Sequence, residues 1–143
     1  MKKNMKKLSG TLLAFILVFS LAACAPVGEK QPEQPDSTIE NGAVIGTGAK
    51  TFAVEVTDAD GKVTAFTVKS DEQTVGAALL ALNVIAGDEG QYGLYVKTVN
   101  GITADYDKDQ TWWAFYVDGV SASAGVDSTD IVNGSTYGFK VEK

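Results

Sequence analysis

The chain has no histidine, and all 12 of its basic residues are lysines. Without histidine it lacks the side chain that titrates near neutrality, the imidazole zinc ligand and every Ser-His or Cys-His catalytic pair. Without arginine it lacks the planar fork that grips phosphate at two points. Lysine or carboxylates alone would have to carry any chemistry, and no carboxylate pair is placed by sequence at glycosidase spacing. The chain is therefore expected not to be an enzyme. Cysteine occurs once, at Cys24, so no internal disulfide can form. The 3 prolines, Pro26, Pro32 and Pro35, all lie near the start, and no acid precedes Glu29.

What is present is a globular composition of 143 residues, 45% apolar, enough for one ordinary domain. From Cys24 onward, 8 lysines face 18 acids, a net charge of −10. Such a surplus repels nucleic acid and anionic membrane surfaces, so nucleic acid is not expected as a partner.

Met1 to Lys7 is basic, Leu12 to Leu21 is apolar, and Leu21-Ala22-Ala23-Cys24 closes the run. That order is the order of a signal peptide. The apolar run falls short of the roughly 20 residues a transmembrane helix needs. Leu-Ala-Ala-Cys resembles the lipobox of bacterial lipoproteins. The resemblance implies cleavage at Ala23–Cys24 and a diacylglyceryl group on Cys24. Two acyl chains would then hold a monomer in the bilayer, on the extracytoplasmic face of the cell membrane. The expected division is a signal peptide over 1–23, the lipidated Cys24 with a spacer over 24–49, and a folded domain over 50–143. The spacer reading rests on the prolines and their polar neighbours, which cannot bury a core.

Past Lys50 the pattern changes. Phe52, Val54 and Val56 alternate, so Thr51 to Val56 reads as a strand. Asp58-Ala59-Asp60-Gly61 is a turn signal, and Lys62 to Lys69 a second strand. Ser70 or Asp71 is placed to cap a helix whose apolar residues are Val75, Ala78, Leu79, Leu82 and Ile85, with Gly87 as its stop and Asp88-Glu89-Gly90 as loop. Further strands are expected over Tyr92 to Val99, Trp112 to Val117 and Thr136 to Val141, with a short one at Ile131-Val132. The fold class is α+β: a small mixed sheet with one packed helix, in ββαβββ order, β-grasp-like.

Trp112 to Val117 is the most distinctive run. Alternation puts Trp113, Phe115 and Val117 on the core face, with Phe139 from the last strand, and Trp112 and Tyr116 on the other. Two readings of the second face stand. Trp112 and Tyr116 pack across strands under a loop, or they form a platform for a flat ligand, extended by Tyr92, Tyr95 and Tyr106. Asp105, Asp107 and Asp109 alternate like the start of a calcium loop, but Gln110 stands where that loop needs Gly and Tyr116 where it needs Glu. No EF-hand is expected, and these three remain only a loose calcium candidate.

The Trp strand ending in Asp118-Gly119, the small-residue loop with Gly125, the Asn133-Gly134 turn and terminal Phe139, after a helix from Val75, resemble the transcobalamin C-terminal-like domain. This bacterial domain of unassigned function is related to the β-domain of transcobalamin and intrinsic factor, with Trp113 matching the family Trp. The resemblance implies an extracytoplasmic binding protein without catalysis. Its ligand would be a small molecule, with a corrinoid-like cofactor as the candidate, handed to a membrane importer. The alternative is a cell-surface module that adheres to protein or cell wall.

Overall fold

The computed structural model describes residues 38–143. The expected signal peptide, Cys24 and the spacer up to residue 37 lie outside the described residues. Among the described residues, no helix is long and apolar enough to cross a membrane.

Among the described residues, nine strands and two short α-helices follow one another. β1 is Val44–Gly46, β2 Lys50–Thr57, β3 Val63–Ser70, α1 Val75–Ala81, β4 Ile85–Gly90 and β5 Gly93–Val99. Then come β6 Ile102–Thr103, α2 Tyr106–Asp109, β7 Trp112–Val117, β8 Val120–Ser121, a 3-10 turn over Val126–Ser128 and β9 Thr136–Glu142. Six strands form one sheet in the order β1-β3-β2-β9-β7-β8, and β4-β5-β6 form a second. β2 pairs parallel with β9 and antiparallel with β3, while β7 pairs antiparallel with β9. An α+β class fits this mixed, mostly β architecture with its small packed helix.

Alternation makes the large sheet two-faced. Phe52, Val54 and Val56 of β2, Phe66 and Val68 of β3, and Tyr137 and Phe139 of β9 are buried together. Val75, Ala78 and Leu79 of α1 join the same cluster. The turn after β2 forms because Asp58 Oδ1 accepts the N–H groups of Asp60 and Lys62, both at 2.9 Å, and Gly61 takes φ +81°. Tyr137 is fully buried, and its hydroxyl donates to Asp130 O at 3.0 Å and accepts Val132 N–H at 2.9 Å.

Several expectations change. The helix ends at Ala81, not Ile85, because Asn83 turns left-handed at φ +54° and Val84 N–H bonds back to Leu79 O. Ile85 to Gly90 is a strand rather than helix end and loop, since β4 pairs along β5 with a bulge at Ala86/Gly87. The helix cap is Thr74, whose Oγ1 accepts Ala77 N–H. Ser70 and Asp71 serve other N–H groups, those of Glu72 and Ala49. Ile131-Val132 is no strand; Tyr137 and the backbone of Gln73 satisfy its N–H groups instead. Beyond the five expected strands the structure adds β1, β4, β6 and β8, so ββαβββ is not the full element order. Ordered structure also starts before residue 50. β1 pairs with β3, and Asn100 binds Ile39 through both its amide oxygen and its amide nitrogen.

Candidate functional site

The face of the large sheet turned away from the core is built from the alternate residues of β2, β9 and β7. In one row, Glu55 pairs with Gly138, and Gly138 with Tyr116. Strands lie about 4.8 Å apart, so the two flanking Cα atoms stand about 10 Å from each other. Gly138 leaves the middle of the row without a side chain, and a Cβ there would lie 3.3 Å from Tyr116 Cβ. The result is an open hollow of about 220 Å³ lined by Glu55, Thr57, Tyr116, Gly119, Thr136 and Lys140. One end is closed by the β7–β8 turn. There Asp118, at φ +48°, accepts Thr136 N–H at 2.8 Å and the Ser135 hydroxyl at 3.1 Å.

Glu142 orders the other end. Its Oε1 sits 2.9 Å from Lys140 Nζ and accepts the Tyr116 hydroxyl at 3.2 Å. The hydrogen bond and charge of Glu142 raise the Lys140 pKa above its ordinary value. The Lys140 hydrogen bond, against partial desolvation and with help from Tyr116, holds the Glu142 carboxyl below its ordinary value. Tyr116 is thus tethered at its hydroxyl, with its ring as one wall of the hollow. Glu55, on the opposite wall, takes part in no ion pair among the described residues.

Trp112 lies further along β7 on the same face, opposite Glu142, and is 36% exposed. Its aromatic neighbour is Tyr106 of α2, with ring centroids 6.1 Å apart and planes tilted by 55°. Tyr95 is on β5 of the other sheet, and Tyr92, 92% exposed, lies in the turn that joins β4 to β5. Among the described residues neither ring pairs with Trp112 or Tyr116, and of the five expected platform residues only Trp112 and Tyr106 are brought into ring contact. Trp113 and Phe139 are buried, and Phe115 and Val117 pack half-buried against the core. Trp113 Nε1–H donates to Lys97 O at 3.1 Å.

The acidic triplet does not assemble a metal site. Asp105 caps α2 through Asp107 N–H and pairs with Lys108, while Asp109 accepts from the Thr111 backbone and hydroxyl. Lys97 stands nearby as an internal counter-ion, 2.6 Å from Asp88, and its pKa is raised first by Asp88 and then by Asp105 and Asp107. Among the described residues no three acidic, histidine or cysteine side chains cluster to hold a metal. Glu55, Gly138, Lys140 and Glu142 belong to no motif in the sequence and are not among the expected site residues. A glycine in the middle of an alternating strand was the available signal, since it marks a gap or a close approach.

Residues 72–143 match the family described as Domain of unknown function (DUF4430). The chain belongs to the DUF4430 family. The matched stretch supplies Trp112, Tyr116, Gly138, Lys140 and Glu142, while Glu55 and Thr57 come from β2, ahead of it. No curated protein matches the sequence. This DUF4430 chain is similar to a crystal structure from Ruminococcus gnavus ATCC 29149 described as a "putative metal binding protein". That likeness has 28% identity and a TM-score of 0.63, covering 66% of this chain and 98% of that one. A weaker likeness is to haptocorrin in complex with Cbi, at 19% identity and a TM-score of 0.49, covering 66% of this chain and 25% of that one.

Proposed function

We propose that this DUF4430 protein is a lipid-anchored, extracytoplasmic binding protein that holds a small flat ligand on the outer face of its large sheet without transforming it. The observation that carries the reading is the Glu55–Gly138–Tyr116 row, in which a glycine opens a hollow beside a tethered aromatic ring. Anchoring through Cys24 rests on the lipobox-like Leu21–Cys24. A corrinoid-like cofactor is the ligand class suggested by the transcobalamin-like resemblance. Such a ring is flat and carries its own metal, which accommodates the metal binding ascribed to the Ruminococcus gnavus protein.

The residues of the hollow fit a ring by contact rather than by ligation. The chain has no histidine, and the Tyr116 hydroxyl is committed to Glu142. A hollow of about 220 Å³ covers only part of one side of such a ligand. The other side is left for a second protein, the membrane importer that would take the ligand over.

Equilibrium dialysis of the full-length protein in detergent against cobinamide and cyanocobalamin tests this. The expected result is retention of a corrinoid, with Tyr116→Ala weakening it about threefold to tenfold, the scale of one lost aromatic contact. Retention of no corrinoid, together with capture of a protein or wall polymer, would favour adhesion instead.

A further inference from the structure

The outer-face hollow carries one unbalanced charge, and we infer that it selects a flat organic cation; this rests on the reading of the hollow as a ligand site. Two charged side chains line it, Glu55 and Lys140, and Glu142 stands behind Lys140 as its partner. Lys140 and Glu142 neutralise each other at 2.9 Å, and Tyr116 donates to the same Glu142 oxygen. Glu55, exposed on the opposite wall, has no such partner among the described residues. Thr57 and Thr136 add only neutral hydroxyls.

A ring laid over Gly138 therefore meets an aromatic side chain at one edge and a carboxylate at the other. Both favour positive charge: the ring of Tyr116 through its electron-rich face, and Glu55 through direct attraction. An anion is opposed by both. The carboxylate is open to water, so the preference is modest and salt-sensitive. The domain as a whole reinforces it, because acids outnumber lysines.

Three flat probes separate shape from charge: proflavine as the cation, acridone as the neutral ring and anthracene-9-carboxylate as the anion. Each is titrated into the full-length protein in neutral detergent and followed by fluorescence anisotropy. Proflavine should bind tightest and the anion weakest. Glu55→Gln should weaken proflavine about threefold to fivefold while leaving acridone unchanged. Raising salt from about 50 mM to about 500 mM should weaken proflavine alone. Tyr116→Ala should weaken proflavine and acridone together.

If Tyr116→Ala weakens proflavine and acridone but Glu55→Gln leaves proflavine unchanged, the hollow stands as a site and charge selection is overturned. If neither variant changes the binding of any probe, the probes sit elsewhere and the reading of the hollow fails with it. Absence of proflavine binding also overturns the inference. Glu55→Gln is isosteric at an exposed position, so its result does not depend on refolding.

Discussion

At the scale of single residues, the adjacent tryptophans differ in burial, because neighbours on a strand face opposite sides of the sheet. Trp113 is 8% exposed and hydrogen-bonded to Lys97 O, so Trp113→Ala should cost about 3–5 kcal/mol from lost burial and the cavity left behind. Trp112→Ala should change stability by no more than about 1 kcal/mol. Urea melts of the two variants check this, and equal losses would contradict the assignment of faces. Asp127 makes a second residue-level case. Its Oδ2 accepts Leu94 N–H at 3.2 Å, while its buried Oδ1 has no donor among the described residues. A Cβ on Gly93, at φ +101°, would lie 2.5 Å from Oδ2. Gly93→Ala should therefore destabilise by about 1–3 kcal/mol, through backbone strain and the clash together. An unchanged urea midpoint would show that this contact yields freely. The Lys140–Glu142 pair sets a pH window. The depressed Glu142 pKa contributes above the ordinary carboxylate range and is lost as pH falls through it; the raised Lys140 pKa contributes below the ordinary lysine range and is lost as pH rises through it. Ligand binding on this face should stay level between about pH 5 and 9 and fall below about pH 4. A steep change near pH 7 would contradict the pairing.

At the scale of elements, the strap from Ile39 to Gly46 is the least obvious part of the fold. Asn100, 6% exposed and left-handed at φ +48°, holds Ile39 N–H at 2.7 Å and Ile39 O at 3.0 Å. Asn41 Oδ1 accepts Ala65 N–H at 2.8 Å, and β1 then runs parallel to β3. Asn100→Ala should cost about 1–3 kcal/mol, because the Ile39 backbone loses its partners. It should also speed amide exchange over residues 39–46 more than elsewhere; uniform exchange would show that the strap is held by other contacts. The sequence hid this strap because Asn41-Gly42-Ala43 and Gly46-Thr47-Gly48 have the composition of a linker, and only pairing with β3 makes a strand of Val44–Gly46. β4 was hidden likewise, since Gly87, Asp88 and Glu89 disfavour a strand that only β5 enforces. β2, β3, β5, β7 and β9 were legible because alternating apolar residues carry their own burial signal. The hollow was half legible: Tyr116 could be assigned to the outer face by alternation, but the register that sets Glu55 beside Gly138 is a long-range fact.

At the scale of the whole molecule, the proposed tethering through Cys24 and the proposed binding face would lie in different parts of the chain. Cys24→Ser should abolish fatty-acid labelling of the protein in bacterial cells; labelling at the wild-type level would place the acyl chain elsewhere. The proposed binding face is the outer face of the large sheet. Its most direct test is a backbone amide NMR titration of the isotope-labelled full-length protein in detergent with dicyanocobinamide. Shift changes should concentrate at Glu55, Thr57, Tyr116, Gly138 and Lys140. Changes confined to the β4–β5 turn around Tyr92, or to α2, with that row unmoved, would contradict this assignment.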